Sequence, residues 1–280
     1  CSSWSETMYE IFRTVLLMSL FGSAATMVLL CLKPITAKKF PAAWQYYVWA
    51  AVLIAMLLPV YKLIPKREAQ RLPIMNQQQM TAEQPAAPDT AYVTPEENNI
   101  TDESAVAYKT QGTASPGDIA AYIWFFGVCV FLLVVLLSYI VYLIRKRRHS
   151  FRLENCPSLE QAKKELGIKR HITVKTAKDI DSPMLSGVFF PVVYIPCREI
   201  PEEKLHMVLL HELTHYKRKD LLIKWISVFV NALHWFNPLC YLLRANISEA
   251  CEVSCDMSVT KAMSDEERKL YMQTILYLAE

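Results

Sequence analysis

Three stretches of the chain, Thr14 to Leu32, Phe40 to Tyr61 and Ile119 to Ile144, carry no charged side chain, and each is long enough to cross the hydrocarbon core of a bilayer. In lipid the backbone must satisfy its own N–H and C=O groups, so such stretches are held to helices. The composition agrees: 53% of residues are hydrophobic and the mean hydropathy is positive, a combination unusual for a soluble domain of this size. The first stretch has the apolar character of a signal peptide. It is nevertheless long, lacks a basic leading region and is soon followed by a second apolar run, so it reads as a retained helix. The expected fold begins with a membrane α-helical bundle.

The short flanks set the orientation. Lys33, Lys38 and Lys39 lie between the first two stretches, and Arg145, Lys146, Arg147 and Arg148 follow the third. Both clusters are expected to face the cytoplasm. Lys62, Lys66, Arg67 and Arg71 then fall on the external side and pull the other way, but the RKRR run outweighs them. That run reads as a stop-transfer anchor, since as a nucleic-acid patch it would be isolated, and a net charge of +3 points to no strongly charged partner. The layout is therefore 1–61 with two membrane helices and a short cytoplasmic loop, 62–118 outside, 119–144 as the third membrane helix, and 145–280 as a cytoplasmic domain. From about Ile64 to Pro116 the chain is rich in Gln, Pro, Thr, Ala and acids, which suits a loose loop acting either as a tether or as a sensory element.

Within the last part, His211-Glu212-Leu213-Thr214-His215 places two imidazoles four residues apart with a carboxylate beside the first. On a helix both rings lie on one face and can bind a single Zn2+, while Glu212 can reach a water and act as its general base. Pro201, Glu202 and Glu203 make a helix opening, and Leu205, Val208, Leu209 and Leu213 follow at helical spacing. A chance HExxH on a surface helix is the competing reading, but burying unpartnered imidazole and carboxyl groups in so apolar a helix would be costly.

Catalytic zinc takes three protein ligands and keeps a position for water. Glu252, in Glu252-Val253-Ser254-Cys255-Asp256, is the best third candidate, 37 residues after His215 in a second helical stretch. Asp256, one turn further on, can accept the other ring N–H of a ligand histidine. Glu249, Cys251, Cys255 and His234 are rivals for the third position. Cysteine is often simply buried as a small apolar residue, and His234 sits in the aromatic His234-Trp235-Phe236-Asn237-Pro238, which suits packing or a hydrogen bond.

The runs HELTHYKRKD (His211 to Asp220), WFNP (Trp235 to Pro238) and EVSCD (Glu252 to Asp256), preceded by SPMLSGVFFPVVYIP with Ser182, Pro183, Gly187, Pro191 and Pro196, resemble the BlaR/MecR antirepressor family of bacterial membrane zinc metallopeptidases. The likeness covers the whole chain in layout and residues 182 to 256 in specific motifs. It implies that His211, His215 and Glu252 bind zinc, that Glu212 activates water, and that the domain is an α+β unit of gluzincin-like type. It also implies a protein substrate, either the chain itself or a cytoplasmic repressor of winged-helix type. Family members that sense β-lactam antibiotics carry a penicillin-binding sensor after a fourth membrane helix. A homodimer is compatible with this reading.

Residues 151 to 280 have the length of one compact unit. Pro157 to Leu166 reads as a short helix stopped by Gly167, Ile172 to Thr176 as a strand, and SPMLSGVFFPVVYIP as a hairpin or two short strands. Val188, Phe189 and Val192 to Ile195 are candidates for an edge that pairs with an extended substrate, or for ordinary core. Leu221 to Leu243 is nearly all apolar, broken at Asn237-Pro238, and is expected to pack on the membrane bundle at the cytoplasmic surface. Most of the eight cysteines fall in the membrane stretches or on the reducing side, which argues against disulfides. Cys1 and the uncapped helix from Glu266 to Glu280 read as the ends of a piece cut from a longer chain.

Two other functions fit less well. A housekeeping membrane protease of the CAAX or heat-shock type shares HExxH and a downstream glutamate, but WFNP and SPxxxG favour the signalling type. A receptor with purely structural zinc would have no use for Glu212, since structural sites are closed by four protein ligands.

Overall fold

The computed structural model describes residues 2–59, 115–153 and 155–279. It is mostly helical. The expected external loop lies outside the described residues except for 115–118, which open a helix.

Two helices are long and apolar enough to cross a membrane, α1 (Ser2–Lys39) and α3 (Pro116–His149). The start of α3 is closed by a capping box in which Ser115 Oγ accepts from Asp118 N at 3.2 Å and Asp118 Oδ2 accepts from Ser115 N at 3.0 Å. Its last turn carries Lys146, Arg147, Arg148 and His149, the sign that the carbonyl end of a helix favours. The second charge-free stretch behaves differently. Its helix, α2 (Ala42–Ala55), has 14 residues and gives way to a turn through Pro59. At 1.5 Å per residue it rises only ~21 Å against a core of ~30 Å. Counting charges overlooked Pro41 and Pro59, which bound the helix because proline cannot donate to the preceding turn.

A four-stranded sheet follows, built from β1 (Ser150–Arg152), β2 (Thr173–Ala177), β3 (Met184–Ser186) and β4 (Val192–Pro196) in the order β1-β2-β4-β3. β2 and β4 run parallel, and β3 is antiparallel to β4 with Leu185 opposite Val193. Gly187 turns the β3–β4 connection at φ +86°, where any side chain would collide with the carbonyl of Phe190. One face of the sheet packs with α4 (Pro157–Leu166), α5 (Glu202–Arg218) and α8 (Asp265–Ala279) around Leu159, Val174, Val193, Leu209, Leu213 and Tyr271.

The remaining pair, α6 (Asp220–Leu233) and α7 (Pro238–Thr260), joins this unit to the apolar helices. Trp49, Leu53 and Met56 of the α2 segment form one buried cluster with Val230, Cys240, Leu243 and Ile247. The pair does not stop at the ends of the bundle, as its sequence suggested. Its connecting turn reaches between all three helices: Asn237 Nδ2 donates to Ser19 and Ser23 Oγ at 2.7 Å each, Trp124 Nε1 to the Leu233 carbonyl at 2.8 Å, and His234 Nε2 to the Met56 carbonyl at 3.1 Å. The 145–280 segment is thus interleaved with the apolar helices.

The tightest point of that junction is the Trp235 indole, laid directly on Gly127 of α3. Gly127→Ala places a methyl inside the ring's envelope and is expected to cost about 1–3 kcal/mol, read as a lower thermal unfolding midpoint in detergent.

Candidate metal centre

The site is assembled by three helices and one strand. α5 carries His211, Glu212 and His215, all largely shielded from solvent. It ends at Lys219, which takes φ +61°, and α6 starts at once with Asp220. This left-handed residue folds the chain back so that Asp220, five positions after His215, faces its ring. Asp220 Oδ2 lies 2.8 Å from His215 Nδ1, and Asp220 is itself buried. From α7, Glu252 and Asp256 approach the other side.

Three donor atoms meet in one cup. His211 Nε2 and His215 Nε2 are 3.1 Å apart, and Glu252 Oε2 lies 3.2 Å from the second and 3.6 Å from the first. The edge of a tetrahedron with a metal–ligand distance of 2.0–2.1 Å is about 3.3 Å, so the triangle fits a zinc ion with a fourth position left open. Glu212 lines the same cleft of about 170 Å³, with Pro183, Met184 and Leu185 forming its far wall.

The opposite edges of the rings are also held. His211 Nδ1 is 2.7 Å from Tyr271 Oη and 3.2 Å from Asp256 Oδ1, and Tyr271 donates to Asp256 at 2.6 Å. Lys224 Nζ holds Glu252 Oε1 at 2.9 Å, which leaves Oε2 for the cup. Asp220 also accepts from Tyr46 Oη of α2 at 3.0 Å and pairs with Arg218, whose Nη1 reaches Ser254 and Ser258 on α7.

Of the rivals, Glu249 is bound to Lys33 at 2.7 Å, away from the cup, and His234 lies in the α6–α7 turn. Cys255 comes within 4.8 Å of both site histidines, and Cys251 within 4.8 Å of His215 and Glu252. Both are engaged elsewhere: Cys251 Sγ faces His215 Nδ1, the nitrogen taken by Asp220, at 3.9 Å, and Cys255 donates to the His211 carbonyl at 3.6 Å. Sequence reasoning brought together His211, Glu212, His215, Glu252 and Asp256 but gave no role to Asp220, Lys224 or Tyr271. Asp220 was visible as the last letter of HELTHYKRKD. Tyr271, 60 residues from His211, carried no local signal.

The edge strands of the sheet are β1 and β3; β3 is the one beside α5, and the Leu185 backbone makes a hydrogen bond to Glu212. Val192 to Ile195 lie in β4, paired on both sides, so they are not an edge. Val188 and Phe189 fall in the connecting turn, where Phe189 is exposed.

Electrostatics follow this geometry. Burial disfavours a charged His211, but hydrogen bonds with Asp256 and Glu252 prevail and raise it to about 10. His215 is also raised: burial opposes the charge and the Asp220 hydrogen bond overrides it. Burial would lift the Glu252 carboxyl, yet His211, His215 and Lys224 hold it well below the usual range. Glu212 goes the other way, pushed up by burial against the attraction of the two imidazoles.

Two histidines four apart, a third donor across a cleft and a buried carboxyl beside them form the arrangement of a metallopeptidase site. The chain belongs to the BlaR1 peptidase M56 family, whose model matches residues 13–280. It is 24% identical over 270 residues to the methicillin resistance mecR1 protein of Staphylococcus aureus, covering 93% of this chain and 45% of that protein. It is 31% identical over 160 residues to the regulatory protein BlaR1 of Bacillus licheniformis, covering 55% of this chain and 26% of that one. The chain thus spans less than half the length of these relatives.

Asp220→Ala leaves His215 and Arg218 facing a buried void, and the expected loss is about 3 kcal/mol, measured as a lower unfolding midpoint in detergent. The pH dependence has a defined sign in metal-free protein. A histidine raised by folding stabilises fully below its unfolded value, about 6.5, and progressively less above it. The midpoint should therefore fall as pH rises from that value through about 10, the folded value of His211.

Proposed function

We propose that this chain is the membrane-embedded zinc metallopeptidase part of a signal-transducing protein, with His211, His215 and Glu252 holding the ion and Glu212 as general base. The observation that carries the reading is the triangle of Nε2, Nε2 and Oε2 atoms at 3.1, 3.2 and 3.6 Å with buried Glu212 beside it. A bound zinc ion supplies Lewis-acid polarisation of a peptide carbonyl and makes water easier to deprotonate.

The chain's own residues do the rest. Glu212 takes a proton from the attacking water and passes it to the leaving amide nitrogen. A carboxyl raised by burial suits both halves of that transfer. Asp220 and Asp256 accept from the Nδ1 sides, keeping each Nε2 lone pair toward the cup. The outer edge of β3, Met184–Ser186, suits an extended peptide laid beside α5.

The basic residues ending α1 and α3 favour a cytoplasmic site. The substrate is then a cytoplasmic repressor, the chain itself, or both. The relatives' names, methicillin resistance and regulatory protein, support an external β-lactam as the signal.

The test pairs zinc content with cleavage of a candidate winged-helix repressor from the same organism, and of the chain itself, for the unaltered protein and Glu212→Gln in detergent. Expected are one zinc per chain in both and a cleavage rate at least ~100-fold lower in Glu212→Gln. A folded sample that binds no zinc overturns the assignment.

A further inference from the structure

We propose that α6 and α7 form a re-entrant helical hairpin inserted in the bilayer from the cytoplasmic side, presenting Leu222, Phe229, Phe236 and Leu242 to lipid acyl chains. The inference rests on reading α1 and α3 as membrane-crossing helices and goes beyond it, because neither α6 nor α7 is itself a span.

Depth is the first argument. The turn between α6 and α7 touches α1 at Ser19 and α3 at Trp124. Each lies five residues inside the N-terminal end of its charge-free run, ~8 Å of helix rise. It meets the α2 segment at Met56, just past the last helical residue. With α1 and α3 running inward and α2 outward, all three contacts fall in the outer half of the membrane.

The lower contacts agree. Asp220 meets Tyr46 near the start of α2, Lys33 at the inner end of α1 bonds Asn246 and Glu249, and Trp225 packs edge-on against Tyr139 near the inner end of α3 at 5.0 Å. From Asp220 to Leu233 the hairpin rises ~20 Å, and from Lys33 up to Ser19 the rise of α1 is ~21 Å. Two independent rulers place the tip about two-thirds of the way through a core of ~30 Å.

Chemistry is the second argument. No Asp, Glu, Lys or Arg occurs from Trp225 to Leu243. Leu222, Phe229, Phe236 and Leu242 are 38–48% exposed, at the level of the exposed leucines, valines and phenylalanines of α3. In water such a face would be a liability, whereas in lipid it continues the surface of the bundle.

Non-helical backbone is tolerated at membrane depth only where protein satisfies its polar groups. The carbonyls of Leu233, His234 and Trp235 meet that condition, while His234 Nδ1 is buried without a partner among the described residues. Asn237 Oδ1 accepts from Leu239 N at 2.9 Å, Trp124 donates to the Leu233 carbonyl, Tyr241 Oη donates to the Trp235 carbonyl at 3.1 Å, and Trp235 Nε1 donates back to the Trp124 carbonyl at 3.3 Å.

The test is photo-crosslinking of the full chain in phospholipid nanodiscs, with p-benzoylphenylalanine placed at Phe229 or Phe236 and lipid adducts read by mass. Phe126, exposed on α3, is the lipid control, and Glu160 on α4, whose side chain is 71% exposed, is the aqueous control. Expected adduct yields at Phe229 and Phe236 are within about twofold of Phe126 and at least about tenfold above Glu160. Yields matching Glu160 at both hairpin positions, with Phe126 labelled, overturn the hairpin and leave the spans standing. Absence of adducts at Phe126 as well overturns both readings.

Discussion

The contact between His215 and Asp220 is the hinge on which the site depends. It spans only five residues, yet it joins two helices that diverge at Lys219. The imidazole turns one nitrogen to the cup it shares with His211 and Glu252 and the other to a buried carboxylate. That carboxylate is also the acceptor for Tyr46 of the α2 helix and the partner of Arg218, which reaches the serines of α7. One buried acid therefore ties α5 to the short apolar helix α2 and to the helix that brings Glu252. A negative charge with so little solvent is tolerable only because each of its oxygens is bonded, and losing one partner exposes the others to the cost.

Much of this was legible before the structure. The charge-free runs marked α1 and α3 because charge is what a membrane helix cannot carry. The same rule overextended α2, since prolines, not charges, end it. The spacing of His211 and His215 placed two imidazoles on one helix face with Glu212 one residue round the helix, and the Glu252–Asp256 pair was recognisable as two acids one turn apart. Helical period alone explains why they face the same way.

The rest depended on features with no sequence period. Lys219 adopts a left-handed conformation that glycine would have announced and lysine does not. Tyr271 reaches the site only because α8 folds back over α5. The strand Val192 to Ile195 is apolar enough to serve as an edge or as an interior, and only pairing on both sides decides between them. The apolar run Leu221 to Leu243 suggested contact with the bundle, but its depth depends on which partners accept the polar atoms of its turn.

α7 is one unbroken helix that carries Asn237 as its cap and, well along its length, Glu252 beside the two histidines. Fifteen residues separate them, ~22 Å of rigid rod. Seen as a lever, such a rod tilted by ~5° about its midpoint moves each end by ~1 Å, a displacement large enough to spoil the alignment that catalysis requires. The Asn237 end, bonded to Ser19 and Ser23 of α1, and the Glu252 segment beside the two histidines therefore share one mechanical part, and neither can be repositioned without the other registering it.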